Sequence, residues 1–93
     1  MLLKILKQMT KFIADIDVMP MKALLDPQGK AVTGSMKNLN LSEIENVRIG
    51  KHITLEINAE NENTAKSKVD EACKKLLCNQ IMEFYEFKLT AVK

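Results

Sequence analysis

Few side chains in this sequence have the types and the spacing that catalysis needs. His52 is the only histidine, and no serine or cysteine nucleophile is spaced from it in an informative way. His52 also falls on the outward positions of an alternating segment, so we interpret it as an exposed polar residue rather than a general base. The sequence therefore predicts no catalytic residue.

Two pairs of donor side chains are poorly placed for binding a metal. Cys73 and Cys78 lie in a helical pattern, where ~100° per residue puts them on different faces. A disulfide or a metal pair is therefore not favoured, and one histidine cannot complete a Cys/His ligand set. Asp15 and Asp17 share a strand face, which we interpret as solvated. We expect no metal site, and free cysteines that suit a reducing cytoplasm.

Two polar turns remain as candidate binding surfaces. The turn Asp26-Pro-Gln-Gly29 lacks the glycine spacing and the terminal Lys-Ser/Thr pair of a phosphate-binding loop. It predicts a helix start, because aspartate caps free N–H groups and proline fits the first turn. Arg48 and Lys51 flank Gly50, where two cations suit a carboxylate, a phosphate or an acidic partner. The solubility of a strand edge explains these two cations equally well.

The apolar pattern predicts five elements in the order strand, helix, long strand, helix, strand. Alternation predicts strands over 11–18 and 83–89, with even positions 12–18 on one inward face and odd positions 85–89 on the other strand's inward face. Helical periods predict helices over 27–39 and 62–77, with a turn and a shorter helix as the alternative for the first. Between Asn46 and Asn58 the odd positions stay apolar. A long strand bent at Gly50 preserves that phase, as does a wider loop, whereas a two-residue hairpin would break it. We favour the bent strand, in which the glycine absorbs the kink.

This order predicts an α+β fold. We expect a two-layer sandwich in which both helices pack on one face of a mainly antiparallel sheet. The opposite face carries apolar residues that no third helix covers, which is typical of a partner surface. A homodimer or tetramer formed through this predicted oligomer face follows as a hypothesis; the face comprises Ile13, Met19, Met82 and Phe84.

Size and charge limit the remaining functions. The 93 residues make one domain, and the net charge of +2 is too small to indicate a nucleic-acid partner. Residues 1–10 are interpreted as an N-terminal extension, with Met9 a candidate start, and residues 11–93 as the single domain. The apolar run before Met9 is interrupted by lysines and too short for a membrane span. We expect a cytoplasmic protein.

Three motifs follow one another along the chain. They are Leu25-Asp-Pro-Gln-Gly-Lys-Ala-Val32, then Val47-Arg-Ile-Gly-Lys51 with the strand Ile53-Thr-Leu-Glu-Ile57, then Cys73-Lys-Lys-Leu-Leu-Cys-Asn79 leading into Tyr85. In this order they resemble the PurS subunit family of phosphoribosylformylglycinamidine (FGAM) synthase. The resemblance covers about residues 11 to 90. One departure is Gln80, where members of the family usually carry a proline, and it softens only the turn between helix and strand.

The resemblance implies a non-catalytic role in purine biosynthesis. The family's enzyme converts formylglycinamide ribonucleotide (FGAR), ATP and glutamine into FGAM, ADP, phosphate and glutamate. PurS joins the glutaminase PurQ and the synthetase PurL and supports ammonia transfer; ATP, Mg²⁺ and glutamine are used by the complex and not bound by PurS. The alternative, from size and fold alone, is a stand-alone dimeric domain that binds a small regulatory molecule.

The two polar turns are the hypothetical partner interface of such a subunit. Both lie outside the predicted apolar core, so substitutions there are expected to affect assembly more than folding. Neither the partner that each residue contacts nor the path of ammonia follows from the sequence. The proposed interface residues are Asp26, Gln28, Gly29, Lys30, Arg48, Gly50 and Lys51.

Overall fold

A computed structural model describes residues 9–22, 24 and 26–92 of the chain. The predicted N-terminal extension therefore lies outside the described residues, apart from Met9 and Thr10. The described residues form an α+β fold with the predicted order of elements. The strands are β1 (Thr10–Pro20), β2 (Lys51–Ala59) and β3 (Glu83–Ala91), and the helices are α1 (Pro27–Asn38) and α2 (Glu62–Ala72).

The three strands form an antiparallel sheet with β1 in the centre. The order is β2-β1-β3, so the first strand of the chain pairs with both later strands. Ile16 lies opposite Ile53 on one side and Phe87 on the other. Because side chains alternate along each strand, this register puts the apolar residues of all three strands on the same face. The predicted inward phase of each strand is confirmed.

The core lies between that face and α2. Ala14, Ile16 and Val18 of β1 are buried together with Val69 and Cys73. The apolar positions of α2 recur at helical spacing, so one side of the helix covers the central strand. The outer strands contribute half-buried side chains to the edge of this core, namely Ile53, Leu55, Ile57, Tyr85, Phe87 and Leu89.

Helix α2 begins and ends with local features of its sequence. The Asn61 side chain accepts a hydrogen bond from the Thr64 N–H at 2.8 Å, which is an N-cap. Beyond Ala72 the chain continues as one π-helical turn, Cys73–Leu77, in which the Cys78 N–H donates to the Cys73 carbonyl at 2.9 Å. Cys73 and Cys78 are both free and buried, so each serves as a small apolar residue.

Helix α1 differs from the prediction in its position. We expected both helices on one face of the sheet, but within the described residues only α2 packs on the strands to any extent. Most of α1 is exposed, and Gly29 is its only buried residue. The helix carries two glycines, and its apolar side chains are at most half-buried, so it covers little of the sheet.

The segment before β2 also differs from the prediction. We expected one long strand from Asn46, bent at Gly50, but β2 begins at Lys51 and residues 46–50 form a loop. Asn46 has a φ of 56°, a left-handed conformation that asparagine tolerates. Gly50 lies against the backbone of Val18 and the side chain of Met19, where a Cβ atom has no room. This close approach explains the glycine without a bent strand.

Candidate interaction site

Asp26 connects the start of α1 to the loop that precedes β2. One carboxylate oxygen accepts from the Gly29 N–H at 3.0 Å, and the other accepts from the Ile49 N–H at 3.1 Å. These two bonds favour the ionised form, and they hold the pKa of Asp26 below its ordinary value despite partial burial. The sequence predicted the cap, whereas the bond to Ile49 depends on the tertiary structure.

Thr33 makes a second connection between the same two segments. Its hydroxyl donates to the Gly29 carbonyl at 2.8 Å and accepts from the Val47 N–H at 3.0 Å. The loop is therefore held on both sides of the Val47 carbonyl, which lies against the Cα of Gly29 and leaves no room for a Cβ. Sequence reasoning missed Thr33, although a threonine within a helix can donate to the carbonyl four residues before it.

The guanidinium of Arg48 makes its polar contacts within the chain. A terminal nitrogen of its guanidinium donates to the Pro20 carbonyl, and its Nε lies 4.0 Å from the Asp26 carboxylate. The Nε is buried and has no hydrogen-bond partner among the described residues. Arg48 therefore helps to position the 46–49 loop, a structural role that the sequence did not indicate.

An open cleft of about 770 Å³ lies between α1 and this loop. Lys30, Thr33, Gly34 and Lys37 line it from the helix, with the spacing of one helical face. The chain after β1 and the loop before β2 line the opposite side through Lys22, Leu24, Asn46, Val47 and Arg48, with Asp26 at the helix start. The cleft has four cations and one carboxylate.

The structure brings only part of the predicted interface together. Asp26 and Lys30 meet Arg48 at the cleft, with Gly29 buried beside them. Lys51 instead begins β2, where its ammonium lies 3.9 Å from the carboxylate of Glu83. Gln28 and Gly50 are exposed but do not line the cleft. Lys22 and Lys37 were missed, and the i, i+7 spacing of Lys30 and Lys37 was the available signal.

The predicted oligomer face is divided in the structure. Met19 and Phe84 are cross-strand neighbours at one end of the sheet, and Met82 is half-exposed just before β3. Ile13 is six residues away along β1, which is about 20 Å at the usual rise per residue. The face is thus an apolar patch at one end and a separate isoleucine at the other. Its role in self-association stays a prediction.

A charged cluster occupies the middle of that face. The His52 Nδ1 lies 2.6 Å from an Asp17 oxygen, and its Nε2 lies 3.5 Å from an Asp15 oxygen. The hydrogen bond to Asp17 is the main reason that the pKa of His52 is raised from its ordinary value. His52 is therefore exposed, as predicted, but paired with the two aspartates of the neighbouring strand. This arrangement is an ion cluster without a nucleophile.

The remaining titratable groups of the described residues are not arranged for catalysis either. Tyr85 donates to the Asp70 carboxylate, and this bond raises the pKa of Tyr85 to about 12. Burial raises the pKa of the Cys73 and Cys78 thiols, which disfavours the reactive thiolate. No group of three or more His, Cys, Asp or Glu side chains in the described ranges is arranged to hold a metal ion. None of the described helices has the length and apolar character to cross a membrane.

Fold and site together define a class of protein: a small α+β domain with a cation-lined cleft beside α1 and exposed apolar residues at one end of its sheet. Comparison with known proteins specifies the family. The sequence model of PurS, described as phosphoribosylformylglycinamidine (FGAM) synthase, matches residues 13–91. The chain is 39% identical over 71 residues to the PurS subunit of Synechocystis, covering 76% of this chain and 71% of that one. The PurS subunit of Bacillus subtilis is 35% identical, covering 76% and 83%.

Solved structures agree with the sequence comparison. The PurS subunit of Thermotoga maritima (EC 6.3.5.3) superposes with a TM-score of 0.80 at 32% identity, covering 88% of this chain and 94% of that one. A chain in the structure of PurLQS from the same organism has a TM-score of 0.79 at 32% identity, covering 86% and 98%. The chain belongs to the PurS family of FGAM synthase subunits.

Proposed function

We propose that this chain is the bridging subunit of an FGAM synthase in purine biosynthesis and joins a PurL synthetase to a PurQ glutaminase. The observation that carries the proposal is the match, over 86% of this chain, to a chain of the PurLQS structure. The Methanocaldococcus jannaschii relative, described as one of the subunits of formylglycinamide ribonucleotide amidotransferase in the purine biosynthetic pathway, has a TM-score of 0.78 at 30% identity. The family match does not favour a stand-alone regulatory domain.

In this proposal the chemistry belongs to the partner subunits. PurQ releases ammonia from glutamine, and PurL uses ATP and Mg²⁺ to add the ammonia to FGAR. This chain binds no cofactor and supplies no reacting group. Its task is to hold the two active sites in one assembly, so that ammonia is used before it is lost to water. The buried cysteines and the exposed His52, which is paired with Asp17, are consistent with a structural subunit.

Partner binding is assigned to the polar surface around the start of α1 and the loop before β2. Two of the predicted interface residues, Asp26 and Arg48, also hold that surface together. Replacing Arg48 with alanine would therefore disturb the loop as well as the interface, and it is a poor test of binding. Lys30 is exposed on α1 and makes no ion pair within the described part of the chain, so it is the better position to change.

We further assign self-association to the apolar end of the uncovered face, around Met19 and Phe84. A dimer or tetramer would bury the side chains of Met82 and Phe84, which are 51% and 41% exposed in the single chain. The reducing cytoplasm is the proposed location, because both cysteines are free.

The experiment reconstitutes the enzyme from PurL, PurQ and this chain. FGAM formation is measured with FGAR, Mg-ATP and either glutamine or ammonium chloride as the nitrogen source. A bridging subunit is needed for the reaction with glutamine, whereas high ammonium should support PurL without the chain. Equal glutamine-dependent rates with and without the chain would refute the proposal. Turnover by the chain alone would refute the assignment of a non-catalytic role.

A further inference from the structure

We propose that the cleft between α1 and the loop before β2 binds a carboxylate-bearing segment of a partner subunit of the synthase. The inference rests on the proposed function, which it deepens by assigning a place and a chemistry to one subunit contact. This basic cleft is lined by Lys22, Leu24, Asp26, Lys30, Thr33, Gly34, Lys37, Asn46, Val47 and Arg48.

The charge of the basic cleft has little internal compensation. Asp26 is its only carboxylate, and that carboxylate already accepts from two backbone N–H groups and faces Arg48. Lys22, Lys30 and Lys37 form no ion pair with any residue that the structure describes. With four cations and one carboxylate, the net positive charge of the cleft is larger than the net charge of +2 of the whole chain. The remaining surface therefore has a slight excess of negative charge, and the positive field is concentrated here.

The walls of the basic cleft are held in place before any partner binds. The Val47 N–H donates to the Thr33 hydroxyl and the Ile49 N–H donates to the Asp26 carboxylate, and these bonds connect the loop to the facing helix. Gly29 allows the two backbones to approach closely. A preformed site loses less conformational freedom on binding than a site that must first be ordered. These contacts hold α1 against the loop, away from the sheet.

Size and lining favour a protein segment over a free anion. About 770 Å³ is far more than an inorganic phosphate fills, and the space is open to solvent along the helix. Leu24 is 40% exposed at its edge, and Val47 and the lysine stems add apolar surface. Lysines around an apolar floor are suited to a segment that combines an apolar side chain with aspartate or glutamate.

Charge reversal on the helix tests the proposal. The variant Lys30→Glu/Lys37→Glu changes two cleft residues, and Lys66→Glu/Lys68→Glu changes two exposed lysines of α2 outside the cleft as the matched control. Binding of each variant to purified PurL and to purified PurQ is measured by surface plasmon resonance over a range of salt concentrations. We expect the first variant to bind one of the two subunits on the order of 10-fold more weakly or worse. The control should bind like the wild type.

A second variant tests the cleft by shape instead of charge. A Cβ atom at Gly34 would meet nothing within 4 Å, so Gly34→Leu places a larger side chain in open space while favouring the helix. This variant should fold at least as well as the wild type and bind the same subunit more weakly. Gly34→Ala, which adds only a methyl group, is its control. Loss of binding in a more stable helix cannot be ascribed to unfolding.

The outcomes separate this inference from the proposed function. If the wild type binds a subunit and both cleft variants bind equally well, the basic cleft is not the contact and the bridging role stands. If the wild type binds neither PurL nor PurQ, the bridging role itself fails. If the cleft variants change only the sedimentation of the chain, the cleft contacts a second copy. If inorganic phosphate alone perturbs the NMR signals of the cleft and the cleft variants leave subunit binding unaffected, the occupant is a free anion. A second copy or a free anion as the occupant would overturn the proposal.

Discussion

Gly29 and Gly34 lie in the same short helix, and the structure predicts opposite effects for the same substitution at the two positions. Glycine costs a helix interior about 1 kcal/mol relative to alanine. At Gly34 a Cβ atom meets nothing within 4 Å. Gly34→Ala should therefore recover most of that energy and stabilise α1.

At Gly29 the added methyl group has no room. Its nearest neighbours would be the Val47 carbonyl and the Asp26 carboxylate. The loop is fixed on both sides of that carbonyl, because its N–H groups donate to the side-chain oxygens of Thr33 and Asp26. Overpacking of a fixed site costs about 1–3 kcal/mol. After about 1 kcal/mol of helix propensity is recovered, Gly29→Ala should still be destabilising by up to about 2 kcal/mol.

Amide hydrogen exchange is the appropriate assay, because α1 packs little on the sheet and can open locally. In Gly34→Ala the amides of α1 should exchange roughly fivefold more slowly, the equivalent of about 1 kcal/mol. In Gly29→Ala they should exchange faster, whereas the amides of β1 should change little in either variant. Equal stabilisation by both substitutions would refute the close approach of Val47 to Gly29, and with it the bracing of the basic cleft.

Three other predictions follow from individual contacts. Tyr85→Phe removes the hydrogen bond to Asp70 and should lower the free energy of unfolding by about 1 kcal/mol, measured with denaturant; an unchanged midpoint would mean that water replaces the bond. The raised pKa of His52 means that its pairing with Asp17 stabilises the fold fully below the ordinary pKa of 6.5 and is lost as pH rises through the folded-state pKa. His52→Gln should abolish this pH dependence of the free energy of unfolding. An unaltered dependence in the variant would mean that another group causes it. Cys73 and Cys78, buried with raised pKa values, should resist iodoacetamide in the native state and react on unfolding; rapid native labelling at neutral pH would contradict their burial.

The strands and α2 could be predicted because their signals are local. The alternation of Phe12, Ala14, Ile16 and Val18 is a property of neighbouring residues, and all four are buried. Asp26 followed by Pro27 predicts a capped helix start, and the Gly29 N–H does bond to that carboxylate. Short-range geometry is sufficient in each case, since the partner atoms lie within a few residues of one another.

The position of α1 and the start of β2 were not predictable in the same way. Val32 and Met36 recur at helical spacing, which favoured packing on the sheet, yet both are only half-buried and the helix stands apart. The odd-numbered apolar residues Val47 and Ile49 continue the phase of β2, but their N–H groups bond to the side chains of Thr33 and Asp26. Side-chain oxygens therefore accept the hydrogen bonds that a neighbouring strand would accept if these residues extended β2.

The sequence by itself determined the class of fold, the order of its elements, the inward face of every strand and the family. These depend on periodicity, capping and motif order, all of which are written along the chain. Only the tertiary structure decided that Lys22, Lys30, Lys37 and Arg48 share one cleft. Bonds such as that from Arg48 to the Pro20 carbonyl, 28 residues away in sequence, bring them together. Contacts over that separation depend on how the whole chain packs, and no local pattern encodes them.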